Sequence, residues 1–222
     1  MDSQNNYKKL REQIPDNITI VAAAKTRTAK EILEIIDIGA TDIGHNYVQE
    51  AEQTIKELRD NAKAKWHMIG HLQKNKAAKA AQLFDVIQTI DSEELALELD
   101  KQARKLNKKL NVLIEVNIAA EQTKNGIKPD YLAIEVLATK ISSMKNLQLQ
   151  GLMTMGAPTE NIEEMKKQFR TMKELFEKLK KSDIPNTNIQ TLSMGMSDNY
   201  ETAIQEGSNM VRIGTKIFGT RQ

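Results

Sequence analysis

The chain has 222 residues, 40% apolar and 28% charged, so it can bury a core, and a disordered or low-complexity chain is excluded. Its 32 Lys and Arg residues nearly balance 30 Asp and Glu residues, and the formal charge of +2 argues against nucleic-acid and anionic-membrane partners. The absence of cysteine excludes disulfides, thiolate metal sites and a cysteine nucleophile. With neither a signal peptide nor an apolar run near the roughly 20 residues of a membrane span, the sequence predicts a soluble, cytoplasmic protein.

Short runs rich in Ile and Val alternate along the chain with longer segments of helical periodicity, a pattern typical of β/α units around a parallel sheet. A helix near Tyr7–Ile14 precedes the first strand. Eight strands are predicted, at Ile18–Ala24, Asp42–Gly44, Trp66–Ile69, Val86–Ile90, Asn111–Val116, Leu149–Thr154, Thr191–Ser193 and Met210–Arg212. Between them, apolar residues recur every three or four positions, as each helix requires for its buried face.

Two of the predicted helices have recognisable starts. Asp91 and Glu94 have the spacing of a capping box, in which each residue satisfies a backbone amide of the other. Asn161 precedes Glu163 and Glu164, whose carboxylates favour the positive end of a helix dipole.

Eight strand–helix units without a linker or a change in composition predict one domain over residues 1–222. The fold class is α/β, a single (β/α)8 barrel (TIM barrel) with an extra N-terminal helix. A typical barrel has about 250 residues, so this one is short. An open doubly wound sheet is the alternative if the second or the seventh predicted strand is absent.

In such a barrel the functional groups lie at the C-terminal ends of the strands and in the loops that follow. Lys25 follows the first strand, behind the apolar run Val21–Ala24 and near Arg27. A lysine that is partly desolvated in this way favours formation of an imine with a carbonyl compound. The alternative is a lysine that simply extends into solvent from a strand end.

The loops after the seventh and eighth strands have the composition of a phosphate site. Ser197 lies in the segment 195–199, where a glycine, a hydroxyl and a helix N-cap follow one another, and Gly214 and Thr215 follow the eighth strand. Barrels commonly bind phosphate at this position through backbone amides. Together with Lys25 these loops predict a carbonyl compound that carries a phosphate, either pyridoxal phosphate or a phosphosugar.

Arg212, at the end of the eighth strand, bears on that choice. A buried guanidinium requires an acceptor, and a pyridine nitrogen is a suitable one. Because arginine only donates and stays protonated, it would keep that nitrogen unprotonated and weaken the ring as an electron sink. The alternative is a buried ion pair with a carboxylate such as Asp42 or Glu115.

Six segments in the same order resemble the pyridoxal phosphate homeostasis protein family, single barrels similar to the N-terminal domain of alanine racemase. The resemblance spans nearly the whole chain. The segments are VAAAKT at 21–26, GHNYVQEA at 44–51, WHMIGHLQKNK at 66–76, GLM at 151–153, LSMGMSD at 192–198 and MVRIGTKIFG at 210–219.

The resemblance implies that residues 1–222 form one barrel domain of the alanine racemase N-terminal type, with pyridoxal 5'-phosphate as the cofactor. It implies a Schiff base on Lys25, Arg212 at the pyridine nitrogen, and Ser197, Gly214 and Thr215 at the phosphate. Asn46 would lie beside the ring, and His67 and Met153 would line its pocket. For His67 the alternative is a core histidine with backbone hydrogen bonds.

Two positions depart from the family's pattern. His45 stands where the family usually has Glu, and Ala24 stands where it usually has Ser before the lysine. A metal site is not supported, because the three histidines and the acidic residues form no cluster at ligand spacing.

The resemblance implies a monomeric protein that is not an enzyme, takes part in intracellular pyridoxal phosphate homeostasis and has apoenzymes that use the cofactor as its partners. An amino acid racemase is the alternative, but it would need a second acid/base on the other face of the ring. Alanine racemase takes that group from a C-terminal domain, which we expect this chain to lack since it ends at Gln222. A class I aldolase or phosphosugar isomerase is a third reading, which the order of the motifs disfavours.

Overall fold

The structure, a computed structural model, describes residues 2–58, 63–119, 125–156, 159 and 161–220. Its strands are β1 (Thr19–Ala23), β2 (Asp42–His45), β3 (Lys65–Met68), β4 (Val86–Ile90), β5 (Leu110–Glu115), β6 (Leu147–Met153), β7 (Thr191–Met196) and β8 (Met210–Ile213). Its helices are α1 (Ser3–Gln13), α2 (Ala29–Ile36), α3 (Val48–Leu58), α4 (Ala77–Leu83), α5 (Glu93–Lys105), α6 (Tyr131–Ser142), α7 (Ile162–Lys181), α8 (Tyr200–Gln205) and α9 (Thr215–Phe218). A short 3-10 helix (Lys74–Lys76) precedes α4.

The eight strands form a closed parallel barrel. Each strand pairs with the next one along the chain, and β8 pairs with β1. In that closing pair Thr19 lies opposite Met210 and Ala22 lies opposite Ile213. The predicted (β/α)8 barrel is therefore confirmed, and the open doubly wound sheet is excluded, since every strand has neighbours on both sides.

The strands read as continuous apolar runs because the helices cover one face and the barrel interior covers the other. All five residues of β4 are buried, for example, and its bounds are as predicted. Strand β7 continues three residues beyond its predicted end at Ser193. Its register against β8 shifts between Ser193 and Met196, an irregularity that apolar patterning does not reveal.

The two predicted helix starts have different outcomes. Asn161 caps α7 as predicted, because its side chain accepts from the amides of Glu163 and Glu164. The capping box at Asp91 is wrong, since α5 begins at Glu93 with Ser92 as its N-cap residue. The Asp91 carboxylate instead accepts from the Ser92 hydroxyl and lies 3.6 Å from His71 Nδ1.

Helix α1 begins earlier than the predicted Tyr7–Ile14 segment, because Asp2 accepts from the Asn5 amide and caps it. It buries Tyr7 and Leu10 and packs against α2 and α9. The Asn6 side chain also donates to the carbonyl of Ile217 in α9. Within the described part of the chain, no helix is both long enough and apolar enough to cross a membrane.

Candidate functional site

A cavity of 330 Å³ opens at the C-terminal ends of the strands, where a barrel carries its functional groups. We call it the Lys25 cavity. Its lining brings together residues that follow six different strands, and most of the residues predicted for the site are among them. The predicted residues that line it are Lys25, Asn46, Ser197, Arg212, Gly214 and Thr215.

Lys25 is positioned by the turn after β1. The Ala24 amide donates to the carbonyl of Gly44 in the neighbouring strand, and the Thr26 hydroxyl donates to the carbonyl of Lys25. Thr26 has a φ of +63°, a conformation that is unusual for a β-branched residue and characteristic of functional sites. The half-buried Lys25 Nζ then lies 5.0 Å from the centroid of the Tyr47 ring.

Ser197 is directed into the cavity by a glycine at the end of β7. Gly195 has a φ of +98°, and a Cβ there would lie 2.6 Å from the Cβ of Ala203, so only glycine permits this path. Ser197 is buried, and its hydroxyl oxygen accepts from the backbone amides of Gly214 at 3.2 Å and Lys216 at 3.5 Å. A hydroxyl and a group of backbone amides therefore meet at one end of the cavity.

Gly214 brings the loop after β8 close to the first strand. A Cβ at Gly214 would lie 3.1 Å from the carbonyl oxygen of Ala23, so any side chain would force the two segments apart. Thr215 follows as the first residue of α9 and is exposed. Backbone amides with no bulky side chain over them are the donors that barrels use for phosphate.

Arg212 is buried and held by hydrogen bonds. Its Nη1 donates to the Ser193 hydroxyl at 2.6 Å and its Nη2 to the Thr154 carbonyl at 2.7 Å. Burial lowers the pKa of Arg212 to about 10, a shift that the nearby negative charge of Glu115 opposes. The alternative of an ion pair with Asp42 or Glu115 is wrong for the described residues, because a hydroxyl and a carbonyl hold the guanidinium instead.

A buried chain of side chains leads from β2 to Arg212 across the barrel interior. Asp42 Oδ1 lies 2.9 Å from His67 Nε2, His67 Nδ1 lies 3.0 Å from Gln88 Nε2, and Gln88 Oε1 accepts from Ser193 at 2.7 Å. Burial disfavours the charge on Asp42, but hydrogen bonds from His67 and Thr41 outweigh it and lower the pKa of the carboxyl. The chain fixes the Ser193 hydroxyl that Arg212 contacts.

His67 and Met153 are fully buried and are not among the residues that line the Lys25 cavity. Both nitrogens of His67 are engaged inside the barrel, with the side chains of Asp42 and Gln88. The cavity instead contacts Met155, two residues beyond Met153, together with Ile69 and Ala23. The alternation of side chains along a strand does not reveal these three lining residues, because they lie in or beside the loops.

His45, one of the two departures from the family's pattern, is buried and stacks on Trp66 with ring centroids 5.8 Å apart. Neither of its ring nitrogens has a hydrogen-bond partner in the described part of the chain. Burial lowers the pKa of His45 to about 4, so the ring is neutral at physiological pH. The other departure, Ala24, is fully buried, where a methyl group packs without requiring a partner.

A second cavity, of 270 Å³, adjoins the Lys25 cavity and shares Asn46, Ile69 and Met155 with it. Glu115, at the end of β5, supplies a carboxylate to its lining, and we call it the Glu115 pocket. The sequence suggests Glu115 only as a partner for Arg212, and nothing in the spacing indicates a separate pocket. Among the described residues, no cluster of three or more metal-binding side chains occurs at either cavity.

A closed barrel with a lysine at its mouth places the chain in one class with the N-terminal domain of alanine racemase. Residues 2–222 match the family model described as "Alanine racemase, N-terminal domain". An alanine racemase of Clostridium difficile has the same fold, with a TM-score of 0.80 over 99% of this chain and 57% of its own, at 16% identity.

Closer relatives identify the family within that class. A pyridoxal phosphate homeostasis protein of Haemophilus influenzae is 44% identical over 93% of this chain and 86% of its own length. The solved structure of PipY from Synechococcus elongatus with PLP bound has a TM-score of 0.89 and 30% identity, covering 98% of this chain and 100% of PipY. PipY without PLP gives a TM-score of 0.92. The chain belongs to the pyridoxal phosphate homeostasis protein family.

Proposed function

We propose that the protein binds pyridoxal 5'-phosphate as a Schiff base with Lys25 and takes part in intracellular homeostasis of the cofactor. The observation that carries this proposal is the Lys25 cavity, in which a lysine amine, a buried guanidinium and a cluster of amides with a hydroxyl share one space. Its 330 Å³ falls in the range of small-molecule sites. The PLP-bound structure of PipY and the names of the relatives support the choice of cofactor.

The donors in the cavity suit the three functional groups of this cofactor. We infer that the Lys25 amine takes the aldehyde carbon, and that Ser197 with the Gly214 and Thr215 amides takes the phosphate. Arg212 would then face the pyridine nitrogen, with Asn46 beside the ring. His67 would act through the chain that positions Arg212, and Met153, which is fully buried at the end of β6, would support the cofactor from outside the cavity lining.

The proposal gives the protein a role as a carrier, without efficient amino acid turnover. An arginine that stays protonated keeps the pyridine nitrogen unprotonated, and the ring is then a poor acceptor for the electrons of a carbanion. We further propose that the whole chain works as one barrel domain, as a cytoplasmic monomer, and that its partners are apoenzymes that require the cofactor.

An amino acid racemase is the second candidate, because Tyr47 lies close to the lysine. Its ring centroid is 5.0 Å from Lys25 Nζ and half of its surface is exposed, so its hydroxyl is available as an acid. The test is conversion of L-alanine to D-alanine with excess cofactor. Turnover near the typical enzyme rate of ~10 s⁻¹ that falls in Tyr47→Phe would establish the racemase and reject the carrier proposal.

Borohydride reduction of the cofactor-loaded protein tests the carrier proposal. Reduction should fix one pyridoxyl group per chain, and peptide mass spectrometry should find it on Lys25. Lys25→Ala should lose both the imine absorbance and the adduct. Lys101→Ala, which removes an exposed lysine paired with Glu98, should keep both. An adduct that resides mainly on another lysine, such as Lys74 or Lys216, would sink the assignment.

A further inference from the structure

The Glu115 pocket contains a buried carboxylate whose hydrogen-bonding capacity is not used. Glu115 is only 6% exposed, and its Oε2 has no hydrogen-bond partner among the described residues. A buried, unpaired charge is costly, and a carboxylate oxygen at a cavity wall is satisfied best by a donor with positive charge. The pocket therefore calls for a cationic donor.

The backbone around Glu115 is fixed, so the carboxylate cannot easily withdraw. The Glu115 carbonyl accepts from the Ile127 amide at 2.9 Å, and Val116 forms a bridge with Ile127. Gly126 has a φ of +102°, and a Cβ there would lie 2.8 Å from the Asn117 amide nitrogen. This close approach holds the end of β5 in place and keeps Glu115 at the wall of the pocket.

The charges around Glu115 also favour a cation. Its pKa is raised to about 7 by burial and by the Asp91 carboxylate, while Arg212 acts in the opposite direction. Arg212 already donates to Ser193 and to Thr154. These hydrogen bonds of Arg212 do not reach Glu115, so the Oε2 atom of Glu115 stays available to a donor in the pocket.

The shape and lining of the pocket limit the size and type of the cation. Its walls include the apolar side chains of Ile69, Val116, Ile118 and Met155, and its volume is 270 Å³. A divalent metal ion would need several oxygen or nitrogen ligands, whereas an ammonium group on a short carbon chain needs one carboxylate and an apolar wall. Asn46 and Thr154 also line the pocket and offer polar atoms.

We propose that the Glu115 pocket is a binding site for a small aliphatic primary amine, whose ammonium group donates to Glu115 Oε2. Because the pocket shares Asn46, Ile69 and Met155 with the Lys25 cavity, the amine would lie next to the lysine. Its use there as an acceptor of the cofactor rests on the proposed function. Binding of the amine does not, since the residues that hold it are distinct from Lys25.

The experiment compares three probes of the same length and different charge. n-Butylamine, n-butanol and butyrate are titrated into the cofactor-free protein by calorimetry, and two-dimensional amide spectra locate the binding. The amine should bind and shift the amide signals of Ile69, Gly70 and Thr154. The alcohol and the carboxylate should bind at least tenfold more weakly, because neither supplies a positive donor.

Variants connect this binding to the carboxylate. Glu115→Gln keeps the shape of the side chain and should weaken butylamine about ten- to hundredfold, as expected for loss of one hydrogen bond to a charged group. Asp91→Asn, which removes the neighbouring charge, should weaken it less. Glu163→Gln, which removes an exposed carboxylate on α7, should bind butylamine as tightly as the parent protein does.

The outcomes separate this proposal from the carrier proposal. Equal affinity of the parent and Glu115→Gln, equal affinity for amine and alcohol, or no binding at millimolar amine would overturn the amine site. Lys25→Ala should still bind butylamine. A protein that binds the amine but carries no adduct on Lys25 would retain the amine site and lose the carrier function.

Discussion

The Lys25 cavity and the Glu115 pocket share a wall, yet they stabilise their buried charges in different ways. In the Lys25 cavity, Arg212 donates to Ser193 in β7 and to Thr154 just after β6, so the cation has two fixed partners. Glu115 on the second side has an oxygen without a partner among the described residues. The barrel thus holds its buried cation with hydrogen bonds and leaves its buried carboxylate to titration or to a ligand.

The difference arises from where the partners lie in the barrel. Ser193 belongs to β7, next to β8, and is itself held by Gln88 from β4. In the register both charged residues lie opposite a methionine, Arg212 opposite Met196 of β7 and Glu115 opposite Met153 of β6, so these neighbours do not distinguish them. What differs is that Arg212 reaches the Ser193 hydroxyl and the Thr154 carbonyl, whereas no described group reaches Oε2 of Glu115.

Of the changes that test the contrast between the two cavities, removal of the Arg212 cation should have the largest effect on stability. Arg212→Met deletes two charge-assisted hydrogen bonds and leaves the Ser193 hydroxyl and the Thr154 carbonyl with one partner fewer. We expect a loss of roughly 3 to 5 kcal/mol in the free energy of unfolding, measured by chemical denaturation. Arg170→Met is the control, because it removes an exposed arginine that also makes two bonds, to Glu206. The control should leave the denaturation midpoint nearly unchanged.

The titration of Glu115 gives the next largest effect. Its pKa is about 7 in the folded protein and near its ordinary value of 4.5 when unfolded, so the folded state holds more protons between those values. Stability should therefore fall as pH rises from 4.5 through 7, by on the order of 3 kcal/mol for this residue. Glu115→Gln lacks this slope, and its stability relative to the parent should rise over that window.

Denaturation curves at several pH values measure this difference. Glu163→Gln, with an exposed side chain, should follow the parent at every pH. A constant offset between Glu115→Gln and the parent from pH 4 to pH 8 would mean that Glu115 does not titrate in this window and that the contrast between the two cavities is wrong.

His45 should contribute a slope of the opposite sign. Its pKa is lowered to about 4 by burial, whereas the unfolded value is near 6.5, so the unfolded chain holds more protons between those values. Stability should be lost as pH falls from 6.5 towards 4, by up to about 3 kcal/mol. His45→Phe keeps a ring against Trp66 and should abolish this loss. If His45→Phe and the parent lose stability in parallel on acidification, another group is responsible.

Much of the fold follows from the sequence because each strand is an apolar run between amphipathic helices. Strand β4 was predictable to the residue, since both of its faces are buried. The end of β7 was not, because Gly195 and the register shift continue the strand beyond its apolar part. The capping box at Asp91 fails because the helix begins one residue later than the spacing predicts, with Ser92 at the N-cap position. The Asp91 carboxylate then contacts the Ser92 hydroxyl and the distant His71.

The residues of the site also divide into those that the sequence predicts and those that it does not. Lys25, Gly214 and Thr215 were predictable as lining residues because they follow strands whose ends the pattern locates, and Ser197 was predictable from the composition of the 195–199 loop. The chain from Asp42 to Ser193, which fixes Arg212, was not predictable, because with Arg212 it joins residues from five strands by side-chain hydrogen bonds. The pocket that Glu115 lines was not predictable either, because the register of β5 against β6 shifts between Val112 and Leu113 and apolar patterning does not reveal such a shift.

The smallest expected effect tests whether the two cavities act independently. Ser197→Ala removes a hydroxyl at the amide cluster, and it should weaken pyridoxal phosphate by roughly 1.5 to 3 kcal/mol, or about ten- to hundredfold, measured by titration of the imine absorbance. Pyridoxal, which lacks the phosphate, should bind the variant and the parent equally. Ser143→Ala, whose hydroxyl donates to a carbonyl of α6, is the control for loss of a hydroxyl.

The same variant should leave butylamine binding unchanged, because Ser197 lines only the Lys25 cavity of the two. Glu115→Gln should show the reverse pattern. It should bind butylamine more weakly, but the difference in affinity between pyridoxal phosphate and pyridoxal should equal that of the parent. If Ser197→Ala affects pyridoxal and its phosphate alike, the loop after β7 acts on the ring or on the lysine and not on the phosphate. If each variant weakens both ligands, the shared wall of Asn46, Ile69 and Met155 couples the cavities, and they form one site.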